Sequence, residues 1–358
     1  MSNDEKQPRQ GPLLGLRVLE FASIGPGPHC AMLLADLGAE VIRIEREGGN
    51  GWPNPVADRG RKRLTLDIRT EAGREQCLTL LESADVLIEG FRPGVMERLG
   101  LGPEHVHARN SRLVYGRMTG WGQSGPLAQA AGHDINYLAI TGALAAIGGR
   151  EGPAIPPLNL VGDFGGGSLY LAFGIMAALW ERERSGKGQV IDAAIVDGVS
   201  SMMTFFAGLL PRGAISLERE RNLLSGAAPH YRCYTCADGR EIAVGPLEPQ
   251  FFAELMQRID APENLRQGCA DPDRWEEQSE QLAALFASRT QADWCALLEG
   301  SDACFAPVLT LEEAVQHPHM QQRGVYRSID GALHAAPAPR FSRTPGAIRD
   351  SVDAAGWD

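Results

Sequence analysis

Cysteine is scarce in this chain: seven residues, an odd and scattered number, which argues against a disulfide framework and fits a reducing compartment better. The polar N-terminus has no signal-peptide pattern, so a cytoplasmic location is expected. Long apolar runs are missing too. Leu169–Trp180, among the longest uncharged ones, has twelve residues, too few to cross a bilayer. Positive charge is in deficit, and the formal net charge of -11 argues against general binding to nucleic acid or anionic membranes. No internal repeat of fixed period is visible. What remains is ordinary for a globular protein, 44% hydrophobic and 22% charged residues over 358 positions, enough for two domains with a substantial core.

After a lead-in of about ten residues, which reads as disordered, the pattern alternates strand and helix. Arg17–Ala22 is a buried strand, Pro28–Leu37 a helix and Glu40–Glu45 a strand, as in doubly wound sheets. Leu64–Asp67, Glu71–Ser83, Asp85–Glu89, a helix opening at Pro93, and Leu113–Met118 continue the alternation. The loop Gly25-Pro26-Gly27-Pro28-His29-Cys30 has a superficial likeness to a dinucleotide cradle, with Glu45 placed to meet a ribose. Its two prolines each remove a backbone donor that a pyrophosphate requires, which weighs against a nicotinamide cofactor. Gly167–Ser185 is a strong helix stopped at Gly186, Gln189–Ala194 a strand, and Asp197–Leu210 a helix. Its Met202, Met203, Phe205 and Phe206 read first as core. Residues 211–229 have linker composition. Tyr231–Cys236 and Arg240–Val244 form a hairpin about Asp238-Gly239, and Cys233-x-x-Cys236 is a lone pair of strand cysteines without the second pair a zinc site needs. Helices near Trp275–Ser288 and Thr290–Glu299 complete a smaller α-rich domain.

Four places are candidates for chemistry. His133 lies in Gly132-His133-Asp134-Ile135-Asn136-Tyr137, ahead of an apolar run. Asp163 lies in Asn159-Leu160-Val161-Gly162-Asp163-Phe164-Gly165-Gly166-Gly167-Ser168, which reads as a glycine turn into the long helix. Such a turn would present free backbone N–H groups and a positive helix end beside a carboxylate. Between Arg43 and Arg69 seven basic side chains (Arg43, Arg46, Arg59, Arg61, Lys62, Arg63, Arg69) face four acidic ones. Broken by Trp52 and two prolines, this window reads either as a solvated loop or as a site for a phosphorylated ligand, which Arg grips bidentately. Glu248, in Leu247-Glu248-Pro249-Gln250-Phe251, sits where a strand gives way to a helix, a common place for a cap.

Those motifs, with Glu20–Leu37 and Gly188-Gln189-Val190-Ile191-Asp192, resemble the family III coenzyme A transferases and, within them, the α-methylacyl-CoA racemases. The likeness runs from about Gly11 to Pro345. It implies an α/β fold with a Rossmann-like large domain from residues 1–210 and 325–358. A smaller α+β domain over 226–324 and a linker at 211–225 would follow, in a homodimer of interlocked rings, with monomers inactive. By that resemblance His133 and Asp163 exchange a proton with C2 of a 2-methylacyl thioester, one from each face. Backbone N–H groups of the glycine turn hold the enolate oxygen, and Glu248 orients His133. Coenzyme A, as part of the substrate, would be met by Arg46, Leu66, Asp67, Ile68, Arg69, Gly90, Arg92, Arg98, Asp134 and Tyr137. The methionine-bearing helix would face the acyl chain, and neither a metal nor a separate cofactor is implied.

The nearest alternative within the same family is a coenzyme A transferase, in which Asp163 is a nucleophile forming an acyl anhydride. The histidine of Gly132-His133-Asp134 and the Pro246-Leu247-Glu248-Pro249 segment favour racemisation, because transferases generally lack that histidine and several have a glycine-rich loop at the second place. A non-catalytic acyl-CoA-binding protein is a further alternative, at odds with three candidate residues being present together. Family members usually continue past Ser342-Arg343-Thr344-Pro345 into a closing helix, which the sequence through Trp357 does not show.

Overall fold

The structure, a computed structural model, describes residues 10–49 and 53–357; most of the expected lead-in and Trp52 lie outside the described residues. The chain divides into two compact units, one of residues 1–141, 157–202 and 319–358, the other of residues 142–156 and 203–318.

In the first unit, β1 (Arg17–Phe21), β2 (Glu40–Glu45), β3 (Arg61–Thr65), β4 (Val86–Glu89), β5 (Val114–Thr119) and β6 (Val190–Ala194) form a parallel sheet. A two-residue edge strand, Val352–Asp353, pairs with β3, giving a seven-stranded sheet in the order Val352–Asp353, β3, β2, β1, β4, β5, β6. The chain runs outward from β1 in one direction and resumes on its other side with β4. In open α/β sheets ligands bind at such a reversal, beyond the carboxyl ends of the strands. The central strands β1, β2, β4 and β5 are buried and largely apolar, with Val18, Leu19, Ile42, Leu87 and Val114 fully or almost fully enclosed, as sheets covered on both faces require.

Helices α1 (Pro26–Asp36), α2 (Glu71–Glu82), α3 (Val95–Arg98), α4 (Pro103–Arg109), α5 (Asp134–Ile140), α6 (Tyr170–Ser185) and α7 (Ile195–Met202) connect or follow the strands. The expected helix at Pro28 starts two residues earlier, with Pro26 in the first turn and Gly25 at the cap with φ 70. The helix expected to open at Pro93 begins instead after Gly94, whose left-handed backbone turns the chain. The expected helix 197–210 is two pieces, α7 and α8 (Thr204–Leu209), with Met203 between them. The core reading of its apolar side chains does not hold. No residue of α8 is buried, and Phe205 and Met202 are exposed.

The largest departure concerns the basic window. The strand begins at Arg61, three residues before the expected start, because Arg61 is a core residue: its guanidinium and the Glu20 carboxylate pair at 3.0 Å with neither side chain exposed. Arg61 also donates to the carbonyls of Ala57 and Arg59, at 2.7 Å and 2.8 Å, and to that of Pro28. Arg59 grips Asp36 bidentately at 3.0 Å and 2.6 Å and donates to the Ala335 carbonyl at 3.0 Å. Arg43 pairs with Asp58. Arg59 and Arg61 therefore tie β1, α1 and the returning C-terminal segment together, and Arg43 ties β2 to the loop at Asp58, rather than awaiting a ligand. That segment carries the hairpin Tyr326–Ile329 and Ala332–Ala335, and Trp357 donates its indole N–H to the Leu80 carbonyl at 3.1 Å.

The second unit holds a three-stranded antiparallel sheet of β7 (Arg232–Thr235), β8 (Glu241–Val244) and β9 (Phe305–Pro307). Helices α9 (Pro249–Arg258), Trp275–Phe286 and Gln291–Leu298 pack on it around Phe252, Leu282, Phe286 and Trp294. All seven cysteines are free, and Cys233 and Cys236 lie in and just after β7 as hairpin residues.

Breaking the buried Arg61–Glu20 pair from one side leaves an uncompensated charge, which costs about 3–5 kcal/mol. Glu20→Ala is therefore expected to lower the urea-unfolding midpoint by that equivalent. A loss below about 1 kcal/mol, the range of solvated pairs, would show that Arg61 is not sealed from water.

Candidate active site

The segment Leu160–Leu169 is not the expected glycine turn. It is already helical and wound wide, with π-type spacing, as in the bond from the Phe164 N–H to the Asn159 carbonyl at 3.2 Å. It runs straight into α6, so Leu160–Ser185 makes 26 continuous helical residues, long and apolar enough by composition to span a bilayer. Glycines explain where it lies. A β-carbon on Gly198 of α7 would stand 1.9 Å from the Gly166 carbonyl oxygen, so these two backbones touch directly. The outer face of the same run leaves Leu169, Phe173 and Trp180 exposed.

This geometry corrects the expected oxyanion site. The Asp163 N–H donates to Asp134 Oδ2 at 2.7 Å, and the Phe164 N–H is committed to Asn159, so neither amide is free for a ligand. The Asp163 carboxylate lies against Gly25 at the start of α1, where a β-carbon would be 2.9 Å from Oδ2. The helix end that a dinucleotide's pyrophosphate would occupy is thus met by the protein's own carboxylate. Asn159 Nδ2 donates to Asp163 Oδ2 at 3.4 Å.

His133 precedes α5 in extended conformation, and its backbone N–H donates to Asn136 Oδ1 at 3.0 Å. The imidazole is left outside the helix and exposed. The next residue, Asp134, is buried and holds the Asp163 backbone. One two-residue step therefore carries a candidate proton carrier and the clamp on its counterpart.

A cleft of about 430 Å³ opens at the carboxyl ends of β1, β4 and β5. His133, Asp163, Gly90, Arg92 and Tyr137 all line it, together with Gly25 and Trp121. The Tyr137 hydroxyl donates to the Gly132 carbonyl, and its ring meets Trp121 edge-on at 4.7 Å. Burial pushes the Asp163 carboxyl above the ordinary carboxylate range; the Asn159 amide opposes this, the Asp134 charge adds to it, and the His133 charge opposes it. Burial likewise raises Asp134. His133 is close enough for its charge to bear on the Asp163 carboxyl.

The other residues expected to meet coenzyme A lie on loops of the same sheet edge. Arg46 follows β2 and donates to the Gly49 carbonyl at 3.0 Å. Leu66, Asp67, Ile68 and Arg69 follow β3, and Arg69 forks onto Asp67 with both contacts at 2.9 Å. This bond holds the Asp67 carboxyl down at about 2. Arg98 ends α3 and is exposed. Behind the cleft Arg117 bridges Glu89 and Glu97 at 2.9 Å and 2.8 Å, and Glu89 accepts the Phe91 N–H at 2.7 Å, which sets the loop carrying Arg92. Glu248 belongs to the second unit, exposed at the start of α9, with no capping bond from its side chain.

Two contributors escaped the sequence reading. Asn159 is one; the other is the loop Ser23–Gly27, whose residues were given no contact with Asp163. At this loop the close approach is made by Gly25, against the Asp163 carboxylate.

A family model described as CoA-transferase family III matches residues 13–358. A mouse alpha-methylacyl-CoA racemase (Mus musculus) is 45% identical over 93% of this chain and 87% of its own length. The human protein of the same name (Homo sapiens) is 42% identical over the same shares. Among solved structures, a CAIB/BAIF family protein from Brucella suis superposes with a TM-score of 0.81 at 28% identity, covering 97% of each chain. With its doubly wound sheet and a family match over nearly its whole length, the chain belongs to CoA-transferase family III.

Proposed function

We propose that this enzyme interconverts the (R) and (S) forms of 2-methylacyl-CoA thioesters by a 1,1-proton transfer at C2. The observation that carries the proposal is the shared cleft: an imidazole and a carboxyl group, from different segments, border one space, and the His133 charge bears on Asp163. Racemisation needs two such groups, because the proton removed from one face must be replaced on the other. His133 and Asp163 take these roles, each the base for one enantiomer and the acid for the other. A carboxyl raised by burial suits a group that must also donate. It suits less well the nucleophile of an acyl-transfer mechanism, which works as the carboxylate.

Coenzyme A lies along the carboxyl edge of the sheet in this reading. The guanidiniums of Arg46, Arg69, Arg92 and Arg98 meet its phosphates, for which their planar forks are suited. Backbone at Leu66, Ile68 and Gly90, with Asp67, Asp134 and Tyr137, borders the rest. The acyl chain runs toward Met202, whose Sδ and Cε lie beside Gly165 on the Asp163 segment. The active form is a homodimer of interlocked subunits, in which Glu248 from one subunit orients His133 of the other and stabilises its imidazolium. The exposed apolar side chains Leu169, Phe173 and Trp180 support an interface, since apolar surface of this kind is costly to leave in water.

Two working forms, imidazolium with carboxylate and imidazole with carboxylic acid, hold the same number of protons, so both reaction directions share one pH profile. Activity falls in acid as the second proton binds. With the Asp163 carboxyl raised, the acid limb of kcat/KM is expected above the ordinary aspartate value of about 3.9; a limb at or below it would contradict the assignment. His133→Ala and Glu248→Ala are each expected to abolish most racemisation. Co-expressed, the two variants should recover about half of the activity per mixed dimer, because one of the two composite sites is then intact. No recovery in isolated mixed dimers would remove the shared-site arrangement.

A further inference from the structure

The wide helical segment leaves a question that its own bonds do not answer. A π-type turn is looser than an α-helix and recurs at functional sites, so backbone alone fixes the direction of the Asp163 side chain weakly. Asp134 and Asn159 hold the segment from the side of its N-terminus. On the other side it meets α1, and there a residue with no part in the reaction above makes two contacts. The His29 ring stacks on Phe164 with centroids 4.5 Å apart and planes 30° apart. Its Nδ1 shares a hydrogen bond of 2.7 Å with the Ser168 hydroxyl. Ser168 is completely buried.

We propose that His29 is a positioning residue for Asp163, gripping the segment at Phe164 and Ser168 and thereby fixing the carboxyl against Gly25. The ring uses its flat face for one contact and its edge nitrogen for the other, a combination that neither phenylalanine nor glutamine supplies. Phe164 adjoins Asp163 directly, and Ser168 lies further along the same segment, so the two contacts resist rotation of the segment about its axis. The clamp is electrically silent. Burial, with the charges of Arg59 and Arg61 beyond it, pushes the His29 pKa down to about 4. Near neutral pH His29 therefore adds no cation to those already felt by Asp163, whose facing groups are Asp134, His133 and Asn159.

The test compares wild type with His29→Ala, His29→Phe and Ser168→Ala. One measurement follows the Asp163 carboxyl by NMR in protein labelled with ¹³C-aspartate, the signal assigned through Asp163→Asn. The second measures kcat and KM for racemisation of a 2-methylacyl-CoA. His29→Ala should lower the Asp163 titration midpoint toward that of an ordinary carboxylate, as the side chain swings to water, and lower kcat at least tenfold with KM within twofold. His29→Phe keeps the stack and Ser168→Ala keeps the ring, so each should show a smaller shift in the same sense. An unchanged Asp163 midpoint in all three, even with reduced thermal stability, would overturn the proposal. The kinetic arm rests on the racemase reading, whereas the titration does not. If wild type fails to racemise, that reading falls and the midpoint alone decides the role of His29. Should His29→Ala not fold, the two milder variants decide it by the same criterion.

Discussion

A single hydrogen bond, from the Asp163 backbone N–H to the Asp134 carboxylate at 2.7 Å, joins the two halves of the candidate site. His133 is covalently next to Asp134, so this bond ties the imidazole and the opposing carboxyl into one assembly although 29 residues separate the bonded pair. A charged acceptor makes a stronger bond than a neutral one, and Asp134 is buried, where competition from water is least. Everything nearby serves the same register. Direct backbone contact between Gly166 and Gly198 brings the Asp163 segment onto α7, and Gly25 lets the carboxylate come close to α1.

Beneath this assembly the sheet supplies rigidity in an expensive way. Arg61 and Glu20 are both sealed from solvent, and a buried pair gains little net stability over an apolar one while being costly to break. Its effect here is geometric. The Arg61 guanidinium reaches the backbone of Pro28 and Ala57, which fixes how α1 leaves β1, and α1 in turn carries Gly25 and His29. The Asp163 carboxyl thus rests on a helix whose entry is set by a buried charge. The second unit supplies a separate sheet and helical core, with Glu248 at a helix start where no local bond commits its side chain.

Much of this was legible in the sequence because the strands are short apolar runs and the helix ends have plain signals, such as Thr70 capping α2 and Gly186 closing α6. The motifs around His133 and Asp163, each an ionisable side chain set among glycines and apolar residues, led to two segments that border one cleft. What failed was local conformation where tertiary contact decides it. Leu160–Leu169 reads as a turn since glycine is a poor helix former, yet these glycines are required by close packing against α7 and α1. Arg43, Arg59 and Arg61 read as solvated or ligand-binding because arginine is seldom buried, and only the fold brings Asp58, Asp36 and Glu20 to meet them. Met202 and Phe205 read as core, and pattern alone cannot distinguish a face turned inward from one left open to substrate or partner.

The central claim is that one acidic carbon lies between two proton carriers, and the timing of isotope uptake in D₂O tests it most directly. At early times the (S) substrate should yield (R) product carrying deuterium at C2, while recovered (S) substrate stays unlabelled, because the base that takes the proton is not the acid that returns one. Equal early labelling of product and recovered substrate would mean a single carrier serving both faces. Transfer of coenzyme A to a free carboxylic acid with C2 untouched would contradict the account altogether.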